Sequence, residues 1–237
     1  MSTSRDGVRA RSSDPARPTR PRGRSRGRPR EPRSPVAALI ELVVIVAVAL
    51  GLALVIQALV VKPYRIPSGS MEPTLTIGQH VLVNRVAMNF SDPTVGGIYV
   101  FHPPAAAEQQ TCGPSPHQID GRAACSEPVP RESGETYIKR IVAGPGDQIY
   151  ISEGHVYRRA AGHSSFLREA DGYIRPCGSS PECNLRTAIT IPGGHWFMMG
   201  DNRGDSDDSR FWGPVPTGWI IGQAIATYWP PSRVGVF

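Results

Sequence analysis

The stretch Val36–Val61 is apolar apart from Glu41 and Gln57, and it constrains this chain more than any other feature. As a helix it would be ~39 Å long at ~1.5 Å per residue. A bilayer's hydrocarbon core is about 30 Å thick, so such a helix spans it with some tilt or with its ends among the headgroups. Glu41 lies near the N-terminal end, where a carboxylate at the interface beside basic residues is the simplest reading. A cleaved secretory signal is the alternative. Its apolar region would be about 7–15 residues long, and the small-residue string Ala47-Val-Ala49 falls in the middle of this span. The sequence therefore predicts a retained anchor over residues 36–61.

Charge assigns the two sides. Residues 1–35 carry eleven Arg against Asp6, Asp14 and Glu31. Against a net charge of +6 for the chain, the tail is about +8 and the rest about −2. The Arg-rich tail, low in complexity and full of Pro and Ser, is expected to be disordered. Dense Arg before the span puts the N-terminus in the cytoplasm and residues 62–237 outside. Because the basicity belongs to the tail, a nucleic-acid-binding surface on the folded part is not expected.

Beyond the anchor the pattern is β. The chain has 24 Pro and 25 Gly, which favours turns and short strands over helices. Gln79–Asn84, Ile98–Phe101, Tyr137–Val142, Gln148–Ile151, His155–Tyr157, Ala188–Ile191, Trp196–Met199 and Ile220–Tyr228 read as strands. Asp92-Pro93, Gly96-Gly97, Gly144-Pro-Gly-Asp147 and Pro192-Gly-Gly194 separate them as turns. The expected fold is mainly β: an antiparallel catalytic core with a small inserted second region.

Residues 103–135 and 159–186 read as insertions, surface excursions tied down by cysteines. Cys112 and Cys125 flank a loop in one, Cys177 and Cys183 a loop in the other. Three pairings are formally possible. The two local ones are simplest, because each closes a loop within a single insertion. No Cys-x-x-Cys pair supports zinc, and disulfides suit an oxidising compartment.

The chemistry rests on a serine and a scarcity. Ser70 stands in Ile66-Pro-Ser-Gly-Ser-Met-Glu-Pro-Thr-Leu75, some nine residues past the anchor. A nucleophile tethered there acts on something else held at the bilayer surface. Pro67-Ser-Gly-Ser70 reads as a tight turn whose backbone N–H groups can converge on one spot, part of an oxyanion hole. Of 26 Lys plus Arg, only Lys62 and Lys139 are lysines. Arg cannot give up its proton near neutrality, whereas a buried Lys can. Strand alternation puts Lys139 on one face with Tyr137 and Ile141. If that face is inward, desolvation lowers the pKa, with Arg140 on the opposite face adding repulsion. The string Gly200–Gly213 offers Asp208 and Arg210 as a bridge and Ser206 or Ser209 to orient an amine. A Ser-His-Asp reading finds no histidine in a motif that announces a base; His195 is the best of six. Metal ligation has no support.

These residues resemble the bacterial type I signal peptidases, membrane-anchored serine–lysine endopeptidases. Four blocks carry the resemblance in order: Pro67–Leu75, Gly78–Arg85, Tyr137–Val142 with Gly146-Asp147, and Gly200–Gly213. The resemblance implies Ser70 as nucleophile and Lys139 as general base. It implies the Ser70 N–H and the Ser68 hydroxyl as the oxyanion hole. Ser206 would bond the Lys139 amine, and Asp208 with Arg210 would support the site. Gln79, where an acidic residue is usual, and Ala143-Gly-Pro in place of Gly-Leu-Pro are the departures. The implied partners are secreted preproteins cleaved after small residues of the Ala-x-Ala type, plasma-membrane lipid and the secretion translocon, with no cofactor and no nucleic acid. Apolar surface near Met71 would dip into the headgroups.

Overall fold

The computed structural model describes residues 34–105, 107–113 and 121–237. The predicted disorder of the Arg-rich tail concerns residues that, up to 33, lie outside those described. The chain divides into two units, one reaching Val46 and the other running from Ala47 to Phe237.

Helix α1 (Pro35–Leu59) realises the apolar run. Pro35 at its start is preorganised for the first turn and has no N–H to leave unpaired. Ser34 stands ahead of it, its hydroxyl accepting from the Ala37 N–H at 3.1 Å. Leu, Ile and Val side chains from Val36 to Ile56 are exposed. Pro35–Ile56 is long and apolar enough to cross a membrane. The helix stops two residues short of the predicted limit, because Val61 already belongs to a strand.

That strand is β1 (Val61–Arg65), followed by β2 (His80–Asn84), β3 (Ile98–Phe101) and β4 (Tyr137–Ala143). Then come β5 (Gln148–Ser152), β6 (His155–Arg159), β7 (Leu167–Arg168), β8 (Ile189–Thr190) and β9 (His195–Met199). A four-residue helix α2 (Ser209–Trp212), β10 (Val215–Pro216), β11 (Ile220–Trp229) and β12 (Gly235–Val236) complete the order. One sheet runs β1-β2-β11-β3-β4-β9-β10, with β12 on β11; a second runs β7-β6-β5-β8. The paired strands are antiparallel. All eight predicted strands are present. Those not foreseen, β1, β7, β10 and β12, are mostly two residues long and held by a partner rather than by their own pattern.

Strand alternation distributes the core. In β2, Val81 and Val83 turn inward between half-buried neighbours. In β9, Phe197 and Met199 enter one apolar cluster, with Ile149, Ile151 and Leu185. Trp196 and Met198 enter another, with Phe101, Ile141 and Trp212. Both faces of this strand are covered, which is why its sequence is continuously apolar. A third cluster, Ile66, Met71, Leu75, Val81, Val83 and Ile98, underlies the Ser70 turn.

The insertions are more than surface excursions. The second contributes β7 to the smaller sheet. The disulfides are Cys112–Cys125 and Cys177–Cys183, the local pairings. Each brings its loop against the 200–213 segment. The Cys125 N–H donates to the Arg210 carbonyl at 2.9 Å, and Arg175 bridges the segment in parallel, its N–H donating to the Asp201 carbonyl at 2.8 Å and its carbonyl accepting from the Arg203 N–H at 2.9 Å.

Candidate active site

Ser70 lies in a short 3-10 turn, Gly69–Met71, entered from an extended Ser68. Met71 anchors this turn by burial in the third cluster. Its side chain is fully enclosed, so Met71 itself forms no part of an exposed apolar surface near the turn. The exposed apolar side chain nearby is Ile77. The 200–213 segment holds the turn from behind. The Asn202 N–H donates to the Ser70 carbonyl at 3.0 Å, and the Asn202 amide donates to the Gly69 carbonyl at 3.2 Å.

The glycine this packing demands is Gly200. A Cβ there would overlap the Ser70 carbonyl oxygen and the Ser206 hydroxyl. Gly69, inside the Pro67–Ser70 turn, has ordinary space around it.

Lys139 comes from β4, and the register Tyr99↔Lys139 fixes its place beside β3. It is 4% exposed. Its Nζ donates to Ser70 Oγ at 2.6 Å and lies 5.8 Å from the Tyr137 ring centre. Tyr137 and Lys139 share a face, as period two requires. Burial pushes the Lys139 pKa down from 10.5 to about 8, against the opposing pull of Asp208 and Asp207. The cation that adds to the lowering is Arg210, with Asp201 acting the other way.

Arg140, predicted to supply that repulsion, is occupied elsewhere. Its Nε and Nη2 grip the two oxygens of Asp201 at 2.9 and 2.7 Å, and its guanidinium stacks 3.9 Å over the Tyr173 ring. Asp201 also accepts from the Thr74 hydroxyl at 2.6 Å. One buried carboxylate thus joins the serine turn, the lysine strand and the polar loop. The sequence reading gave Asp201 no role. Its signal was a carboxylate directly after the glycine that opens the polar string, a pattern shared by many surface turns.

Asp208 and Arg210 form the expected bridge, fully buried, with Arg210 Nε on Asp208 Oδ1 at 2.8 Å. Asp208 also caps α2 by accepting from the Arg210 N–H and accepts from the Gly200 N–H at 3.1 Å. Burial would raise its pKa, but Arg210, then Lys139 and the Gly200 N–H, hold it below the usual carboxylate value. The Ser206 hydroxyl donates to Asp208 Oδ2 at 2.8 Å. Among the described residues it makes no hydrogen bond to Lys139, whose amine is engaged by Ser70. The Ser68 hydroxyl rests on Ser70 Oγ at 3.3 Å.

Ser70 and Lys139 open into a groove of about 400 Å³ lined by Tyr64–Ser68 and Glu135–Ile138. No histidine lines it among the described residues. His195 bonds the Gly193 carbonyl instead. The groove thus holds a serine hydroxyl in hydrogen-bond contact with a buried amine whose proton burial loosens.

The fold is a β-rich domain carrying a helix suited to membrane anchoring, and the family comparison makes it a hydrolase. A family model described as signal peptidase, peptidase S26, matches residues 39–229. A probable signal peptidase I-1 of Synechocystis sp. is 37% identical over 202 residues, covering 85% of this chain and 88% of the relative. A signal peptidase I of Leptolyngbya laminosa is 32% identical over 197 residues, covering 83% of each. A solved signal peptidase I from Enterococcus faecalis V583 aligns at 20% identity with a TM-score of 0.33, over 56% of this chain and 97% of that one. The chain belongs to the peptidase S26 family of signal peptidases.

Proposed function

We propose that this protein is a signal peptidase I that removes N-terminal signal peptides from secreted preproteins, with Ser70 as nucleophile and Lys139 as general base. The observation that carries the reading is the 2.6 Å contact between Lys139 Nζ and Ser70 Oγ in a site where burial brings the amine to about 8. Neutral Lys139 takes the Ser70 proton as the oxygen attacks the scissile carbonyl. The Ser70 N–H and the Ser68 hydroxyl, released from its resting contact, receive the developing oxyanion. Lys139 then protonates the leaving amine, the mature protein departs, and water attacks the acyl-enzyme to free the signal peptide. Asp208, Arg210 and Ser206 keep the polar loop in place behind the pair.

Substrate geometry follows from the groove. β1 is an edge strand, so an extended peptide can pair with exposed backbone beside it and fix its register. Ile66, Val100 and Ile138 line the groove, which suits small apolar side chains at −1 and −3. The anchor would place this groove at the outer face of the plasma membrane with the N-terminus cytoplasmic. There a signal helix still in lipid, delivered by the translocon, presents its cleavage segment. The test is a preprotein cleavage assay with N-terminal sequencing of the product. Ser70→Ala should abolish processing. Unchanged processing by Ser70→Ala would instead identify a non-catalytic anchored scaffold.

A further inference from the structure

The groove that holds Ser70 and Lys139 is lined by Asp205 and Asp207 as well, and both also line a second cavity of about 470 Å³, together with Gln110 and Glu182. Asp207 is held differently from the other carboxylates that act on Lys139. Asp201 is gripped by Arg140 and Asp208 by Arg210. Asp207 Oδ1 is shut off from solvent with no hydrogen-bond partner among the described residues. Gln110, two residues before Cys112 on the loop that Cys112–Cys125 ties down, lines the second cavity with Asp207 and favours its ionised form.

The charged and titratable groups around the pair can be named. Lys139 faces Asp207, Asp208, Arg210 and Asp201 from the polar segment, Ser70 from the serine turn and Tyr137 on its own strand. Asp207 faces Asp208, Lys139, Arg210 and Gln110. It also acts on Tyr137, as do Glu108 and Glu135. Burial, then the like charge of Asp208, pushes the Asp207 pKa up to about 6.

We propose that Asp207 is a positioning residue for Lys139: a counter-ion that holds the amine protonated while the groove is empty and stops doing so when a substrate covers it. This rests on Lys139 being the base. An ionised carboxylate nearby favours the ammonium. A peptide lying in the groove removes water from both groups, and desolvation favours both neutral forms. Asp207 then takes up one proton as Lys139 gives one up, so the proton count is unchanged. The amine meets Ser70 neutral only when a peptide is there to be cut, which limits idle activation of the hydroxyl.

The experiment uses the full chain in detergent micelles with carbon-13-labelled lysine. Only Lys62 and Lys139 give signals, and Lys62→Arg assigns them. Asp207→Asn should lower the Lys139 titration midpoint by about half to one pH unit. Gln110→Leu, which removes the neighbour that keeps Asp207 ionised, should move it the same way by less. Asp205 lines the same groove but is not among the main charges acting on Lys139, so Asp205→Asn should move the midpoint less than Asp207→Asn does. A midpoint unmoved by both Asp207→Asn and Gln110→Leu overturns the proposal. In wild type, the acid limb of kcat should lie below that of kcat/KM, since these report the complex and the free enzyme; in Asp207→Asn the gap should narrow to what desolvation of Lys139 alone leaves. A wild type without the gap overturns the release on substrate binding. A midpoint that moves while the kcat/KM limb stays put overturns Lys139 as the base, a failure distinct from the others.

Discussion

Lys139→Met should make the protein more stable while abolishing its activity. The wild-type amine is buried at 4% exposure and its pKa falls from 10.5 to about 8. That fall means the folded state binds the proton less tightly than the unfolded chain does. Converted at 1.36 kcal/mol per pKa unit, it is a destabilisation of about 3 kcal/mol wherever the unfolded lysine is charged and pH is below 8. The sign follows from linkage. Between about pH 8 and 10.5 the unfolded chain holds more protons than the folded one, so wild-type stability rises with pH through that window. Methionine has a similar volume and no charge to desolvate. The stability gap in favour of Lys139→Met should therefore be about 3 kcal/mol at pH 7 and shrink to about half that by pH 9.5. The assay is denaturant unfolding of the full chain in micelles at several pH values, followed by tryptophan fluorescence. The four tryptophans, at 196, 212, 219 and 229, all report on the β domain. Preprotein cleavage is measured on the same samples. A variant less stable than wild type at pH 7, or a gap independent of pH, would refute the idea that a dry neighbourhood sets the state of this amine.

Gly200→Ala should cost about 1–3 kcal/mol by overpacking and lower kcat about a hundredfold. The added methyl meets the backbone of Ser70 itself, and misplacing a reacting group by about 1 Å has that order of effect; wild-type kcat with a normal unfolding midpoint would sink this account. Asp201→Asn leaves the Arg140 guanidinium without its buried carboxylate and should cost about 3–5 kcal/mol of stability. Urea unfolding measures it, and a loss under about 1 kcal/mol would mean that the three-way tie through Asp201 is not structurally important.

The legible parts of this molecule were those with a local physical signature. Val81 and Val83 alternate with polar neighbours, and β2 forms there. Trp196–Met199 is continuously apolar, and β9 is covered on both faces. The rarity of lysine in an Arg-rich chain pointed to Lys139, which sits against Ser70 in the structure. Strands β7, β10 and β12 were not legible, because two residues have no pattern of their own and pair only where a neighbour offers a ladder. The part played by Arg140 was misjudged for a related reason. Which face a side chain occupies can be read from period two, but what waits on that face cannot.

Sequence alone determined the apolar span, the β character of the remainder, and a short inventory of reactive side chains in a recognisable order, since each depends on residues close together in the chain. Tertiary structure decided what those side chains experience. Burial at Lys139, its contact with Ser70, the burial of the Asp208–Arg210 pair and the crowding of Gly200 against Ser70 arise where segments far apart in the chain press together. Desolvation and Coulomb interaction depend on distance through space and on the exclusion of water, and neither is written along the chain.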